Sequence, residues 1–157
     1  MRFPKFLLLF FILFQTFASK IIWQPKREIG NTTIWKSTQT KSIRGSTQVL
    51  KSSKSFLANM DKRDKFVKSL EKKKRNGMKF LGISDWNAFE YKWQNDELTI
   101  SGYYIDRKGL KNYFYERHTF LNDKRVISLI TSLDKDKLNK EVISSFFQST
   151  LKWESRK

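Results

Sequence analysis

From Ala88 onward the chain adopts a repeating pattern that leaves room for one topology. Ala88-Phe89-Glu90-Tyr91-Lys92-Trp93 alternates, setting Phe89, Tyr91 and Trp93 on one side of an extended strand and Glu90 and Lys92 on the other. Glu97 to Ile105 and Lys111 to Leu121 read as further strands, and Val126 to Leu133 is the most apolar of the four, which places it centrally in a sheet. The connections are Gln94-Asn95-Asp96, Asp106-Arg107-Lys108-Gly109 and Asn122-Asp123-Lys124. None is long enough for the crossover that a parallel pair requires, so the four strands are antiparallel neighbours. After Asp134-Lys135-Asp136-Lys137, which reads as a cap, Leu138, Val142, Ile143, Phe146 and Phe147 form the apolar stripe of a closing helix.

Upstream of this unit, Ser55 to Asn76 has helical spacing: Phe56, Met60, Val67 and Leu70 recur on one face, with Leu57 and Phe66 widening it. Ser55 is placed to cap the start and Gly77 to end it. Lys72, Lys73, Lys74 and Arg75 fall in the last turns, where cations complement the helix dipole. Met78 to Ile83 reads as a strand. Residues 19–54 are rich in Ser, Thr, Gln and Lys, with short β-favouring patches at Ile21-Ile22-Trp23 (stopped by Pro25), Asn31 to Lys36 and Ser46 to Lys51. Two or three short strands is one reading of that stretch, and a disordered basic linker is the other. The whole is expected to be α+β: an antiparallel meander sheet covered by two helices over residues 31–157, preceded by an N-terminal segment at 19–30.

The first eighteen residues differ in kind. A cationic start, Met1-Arg2-Phe3-Pro4-Lys5, precedes an unbroken apolar run from Phe6 to Phe14, and Thr16 and Ala18 supply small residues around a cleavage point. This is the layout of a secretory signal peptide, with export to the periplasm or the extracellular space expected. A helix of that apolar run is ~14 Å long against a hydrocarbon core of ~30 Å, so no membrane span is expected after cleavage. The chain has no cysteine, which excludes a lipid-anchored thiol and any disulfide, so stability rests on the core. Of 32 Lys plus Arg, only Arg2 and Lys5 lie in the leader, and the 15 Asp plus Glu all lie beyond it. The remainder therefore carries thirty cations against those 15 carboxylates, a net +15.

Reactive chemistry is sparsely represented. With one histidine, no cysteine and six scattered glycines, the chain offers no usual zinc set, no thiol nucleophile and no phosphate-binding loop. No cofactor or metal is expected, and the chain reads as non-enzymatic. The one enzymatic alternative is a basic exported hydrolase such as a ribonuclease, with Glu116 as base, His118 as acid, and Arg117 and Arg125 as clamps. Set against it is the plainer reading of polar residues on an exposed strand. Basic residues also interleave with Trp86, Tyr91, Trp93, Tyr103, Tyr104, Tyr113 and Tyr115, as in sheets that stack bases, but export separates the protein from cellular nucleic acid. The favoured reading is a basic binding domain whose partner is an acidic protein or an anionic envelope component such as a polymer or lipid surface. Its candidate anion-binding residues are Lys72, Lys73, Lys74, Arg75, Lys92, Arg107, Lys108, Lys111, Arg117 and Arg125.

The run from Tyr115 through Phe120-Leu121-Asn122-Asp123-Lys124-Arg125 to Ser132, followed by Val142-Ile143-Ser144-Ser145-Phe146-Phe147, resembles the end of PsbP-like and Mog-like domains. Those domains close with a strand, a tight turn, an apolar strand and a helix bearing late aromatics. Here Lys124 directly follows Asp123, where the family often has Gly. The resemblance implies an α/β/α sandwich around an antiparallel sheet, used mostly as an accessory or partner-binding module. It implies no shared catalytic set, and no residue role is carried over by it.

Overall fold

A computed structural model describes residues 21–38 and 41–154. The signal peptide expected over 1–18 lies outside the described residues. The elements in chain order are β1 (Trp23–Ile29), β2 (Thr32–Ser37), β3 (Ile43–Lys51), a 3₁₀ turn (Ser55–Ala58), α1 (Met60–Phe80), β4 (Asp85–Gln94), β5 (Glu97–Ile105), β6 (Lys111–Phe120), β7 (Lys124–Ser132) and α2 (Lys140–Glu154). The strands form a single seven-stranded sheet in the order β1-β2-β3-β7-β6-β5-β4. Every pairing is antiparallel. Two meanders, β1–β3 and β4–β7, are joined through α1 and meet where β3 pairs with β7, so the most apolar strand is central as its composition requires.

The strand period assigns each face to one helix. Ile130 joins Trp23, Trp35, Ile43, Val142 and Phe146 in one core cluster, while its neighbour Leu129 packs with Trp86, Leu98, Ile100 and Phe114 in the other. α2 closes the first face. Phe146 is fully buried there, its ring 4.8 Å from that of Trp23 and 6.2 Å from that of Trp35. Trp23 Nε1–H donates to Ser145 Oγ at 3.0 Å, tying β1 to the helix. α1 closes the second face with Phe66, Val67, Leu70 and Met78, none fully buried.

Four local expectations change. β1 runs through Pro25 instead of stopping there, because it is the outermost strand and the proline removes no ladder bond that a neighbour needs; the register shifts between Pro25 and Arg27. The sheet therefore begins at Trp23, inside the segment at 19–30 set apart by its sequence. α1 starts at Met60, where the Asn59 side chain accepts the Lys62 N–H at 3.1 Å, leaving Ser55 in the preceding 3₁₀ turn. It continues past Gly77 to Phe80, so Met78 to Phe80 is helix and not strand, and Gly82 makes the left-handed turn at φ +69°. Met78 keeps the helix going because it falls eight residues after Leu70 and packs on the same core. Finally, the register shifts between Ala88 and Glu90, and this bulge splits the expected Phe89-Tyr91-Trp93 face. Tyr91 and Trp93 pack beneath α1, whereas Phe89 is 63% exposed and lies against Tyr103.

Candidate functional site

α1 covers only part of its face of the sheet. Its apolar contacts reach β4, β5, β6 and the edge of β7, while the same face of β2 and β3 has no helix above it. Pairing places Ile34, Ser46, Leu129 and Glu116 in one cross-strand row, and Thr32, Gln48, Ile127 and His118 in the next. The open floor thus runs from β2 to the foot of α1. Two adjoining hollows of about 480 and about 420 Å³ occupy it and share Ser46 and Leu129. Together they form a trough walled on one side by the helix.

Cations rim this trough. Lys26, Lys36, Lys41 and Arg44 line the outer hollow, and Lys73, Lys74 and Arg125 line the inner one. Glu116 is the single carboxylate among the lining residues, and the Lys74 ammonium binds its Oε2. Among the described residues, Lys26, Lys36, Lys41, Arg44 and Lys73 have no ion-pair partner. The surface therefore carries charge that the fold itself does not neutralise.

Beneath the trough lies a buried polar cluster. Glu116 Oε1 is hydrogen-bonded to His118 Nε2, and neither side chain is more than marginally exposed. Burial pushes the Glu116 carboxyl up, but the Lys74 ammonium and the His118 hydrogen bond outweigh it and hold the pKa down at about 2. Burial pushes His118 below its ordinary 6.5, against the pull of Glu116, with Lys74 and Arg125 adding to the fall. A neutral imidazole donating Nε2–H to the carboxylate accounts for this contact and leaves the buried Nδ1 of His118 without a partner. Arg125 stacks over Phe66 and Phe120, with Cζ 5.2 and 5.9 Å from the ring centroids, and burial lowers its pKa against the pull of Glu116. His118 has no exposed surface, and Glu116, which lines the inner hollow, is almost wholly buried between His118 and Lys74, so the two side chains brace the sheet against α1. Among the described residues no group of three or more His, Cys, Asp or Glu is placed to hold a metal.

The ten candidate anion-binding residues are divided among four places. Lys73, Lys74 and Arg125 meet in the trough. Lys72 and Arg75 line a hollow on another flank of α1, where Arg75 pairs with Glu71 at 2.8 Å and donates to the Trp86 carbonyl at 3.2 Å. Lys92 and Arg117 lie across the sheet in a groove beside α2, Arg117 donating to the Phe147 carbonyl at 2.7 Å and standing 3.7 Å from Glu97. Arg107, Lys108 and Lys111 sit at the β5–β6 turn: Arg107 donates to the Leu81 carbonyl, the Lys108 amide to Asp106 Oδ1, and Lys111 Nζ lies 3.9 Å from the Tyr103 ring centroid. The aromatics divide as well, with Trp86, Tyr91, Trp93 and Tyr104 packed under α1 and Tyr113 and Tyr115 against the α2 core.

Lys26, Lys36, Lys41 and Arg44 were not among the candidates. Their signal was the alternation Ile34, Lys36 and Arg44, Ser46, Gln48, which is hard to use before β2 is known to pair with β3.

No protein-family model matches the chain, and no curated protein matches it. Among solved structures it is similar to the Saccharomyces cerevisiae Ran-binding protein Mog1p, with a TM-score of 0.46 and 11% identity over 81% of this chain and 75% of that one. It is also similar to a Bacteroides thetaiotaomicron VPI-5482 protein, with a TM-score of 0.40 and 8% identity over 70% of this chain. The match spans about a third of the Bacteroides chain, 35% of its length.

Proposed function

We propose that the protein is an exported, non-enzymatic accessory domain that binds an anionic partner in the trough between α1 and β2–β3. The observation that carries this reading is the set of seven lining cations facing one carboxylate, which Lys74 already neutralises. Beyond the leader, thirty cations against 15 carboxylates leave a net +15, whose long-range field draws anions toward the protein. An acidic protein or an anionic component of the cell envelope supplies the complementary charge.

Retention on an anionic matrix tests the proposal. It should fall as salt shortens the screening length from about 10 Å toward about 3 Å. Arg44→Glu and Lys73→Glu should each elute earlier than the wild type, while Lys72→Glu, on another flank of α1, should shift elution less. Retention that ignores salt, or equal shifts for all three variants, would show that the trough is not the binding surface.

A further inference from the structure

We infer that the occupant of the trough is a linear anionic polymer lying along β3, an inference that rests on the anion-binding role proposed above and commits it to one ligand class. Distance is the first support. Along β3 the cations are spread out: Lys36, Lys41 and Arg44 lie at one end, Arg125 lies at the other as the register partner of Leu50, and Lys73 and Lys74 stand between them on the helix wall, Lys74 over Glu116 in the Ser46 row. From Arg44 to Leu50 the strand advances ~20 Å at about 3.3 Å per residue. A single phosphate or carboxylate meets one end only, whereas a chain of anionic groups reaches both.

Shape is the second. The trough is concave and walled by α1, a cylinder about 10 Å across with its side chains. A planar headgroup layer resting on that wall meets rim cations and leaves the floor of Ser46, Gln48, Ile127 and Leu129 empty, while a flexible chain follows it. The third support is what the floor lacks. Trp35 borders the outer hollow, but its ring turns to the opposite face, 6.2 Å from Phe146 and 6.0 Å from Trp153. With no exposed ring to stack on, a nucleic-acid base gains nothing beyond what its phosphate supplies. The trough reads spaced negative charge along a line, with hydroxyl and amide groups between.

Calorimetric titration of the purified protein decides the matter, using inorganic phosphate, tripolyphosphate, long-chain polyphosphate and polygalacturonate. Affinity should rise with chain length until the chain spans the trough. The two polymers differ in their anionic group, so their order identifies whether phosphate or carboxylate is preferred. Arg44→Glu, at one end of β3, and Lys73→Glu, on the facing helix wall, both exposed positions, should each weaken long-chain binding by about tenfold, the size of one charge-assisted contact. Circular dichroism confirms that both variants remain folded. Length-independent binding, or sensitivity at only one of the two positions, would overturn the polymer and leave a point-anion site. Equal affinity for anionic phospholipid vesicles, or tighter binding of an oligonucleotide than of a base-free polyanion of equal charge, would likewise overturn it while leaving the proposed function standing. If no anionic probe binds, both fall together.

Discussion

Glu116 and His118, two residues apart on β6, point to the same face and share a hydrogen bond beneath α1, with Lys74 completing the carboxylate's partners from the helix. The helix contributes no fully buried side chain of its own, so this ion pair is a principal polar tie between α1 and the sheet. Removing one partner leaves a charge buried and uncompensated, which costs far more than the pair gains over an apolar replacement. Lys74→Met should therefore destabilise the fold by about 3 kcal/mol in urea unfolding. Lys74→Met with Glu116→Gln should recover much of that loss, and an additive double variant would show that the two side chains are not coupled.

The same cluster sets the response to acid. Both folded-state pKa values lie below their ordinary ones, Glu116 at about 2 instead of 4.5 and His118 below 6.5. The unfolded chain therefore binds more protons, and stability falls as pH falls. The His118 contribution is complete above pH 6.5 and is lost below it; the Glu116 contribution is complete above 4.5 and is lost as pH drops toward about 2. Urea midpoints measured across this range should decline in two stages. His118→Gln should remove the first stage only. A midpoint that rises as pH passes below 6.5 would mean that the fold holds His118 charged.

Much of the architecture was legible because it depends on local pattern. Alternation and short turns make β4 to β7 antiparallel neighbours, and the stripe from Leu138 to Phe147 gives α2. Less legible were the features decided by partners distant in sequence. Pro25 looks like a terminator until β1 is known to be an edge, and Phe89 looks like a core residue until the bulge at Ala88 turns it outward. The trough is the extreme case, since β3, with β2 on its far side, pairs with β7 some eighty residues later in the chain. Glu116 and His118 were picked out correctly as neighbours on one face, but two-residue spacing does not say whether a helix lies over that face.

Two glycines mark where the sheet leaves no space. A Cβ at Gly45 would lie 2.6 Å from Phe146 Cε2, and one at Gly102 would lie 1.9 Å from the Asn87 carbonyl oxygen, brought close at the β4 bulge. The Phe146 ring is a side chain that shifts at a cost, whereas the Asn87 obstacle is backbone held in a ladder. Gly45→Ala should lose about 1–3 kcal/mol, the usual range for overpacking, and Gly102→Ala should lose more. Thermal unfolding of the two variants gives the order. If Gly102→Ala is the milder substitution, β4 does not approach β5 as closely as its bulge requires.

Gly77 should behave in the opposite way. It sits inside α1 with three helical residues still to come, it does not have positive φ, and a Cβ there meets nothing within 4 Å. Glycine in such a position spends backbone entropy on folding without needing its freedom. Gly77→Ala should therefore stabilise the protein by about 0.5–1 kcal/mol, visible as a higher urea midpoint. A helix that ended at Asn76 with Gly77 in the left-handed region would instead be destabilised by the same substitution. The sign of this one change thus measures whether Met78 belongs to the helix, and with it whether α1 is long enough to wall the inner hollow of the trough, where Gly77, Met78 and Leu81 stand opposite Gln48 and Leu50.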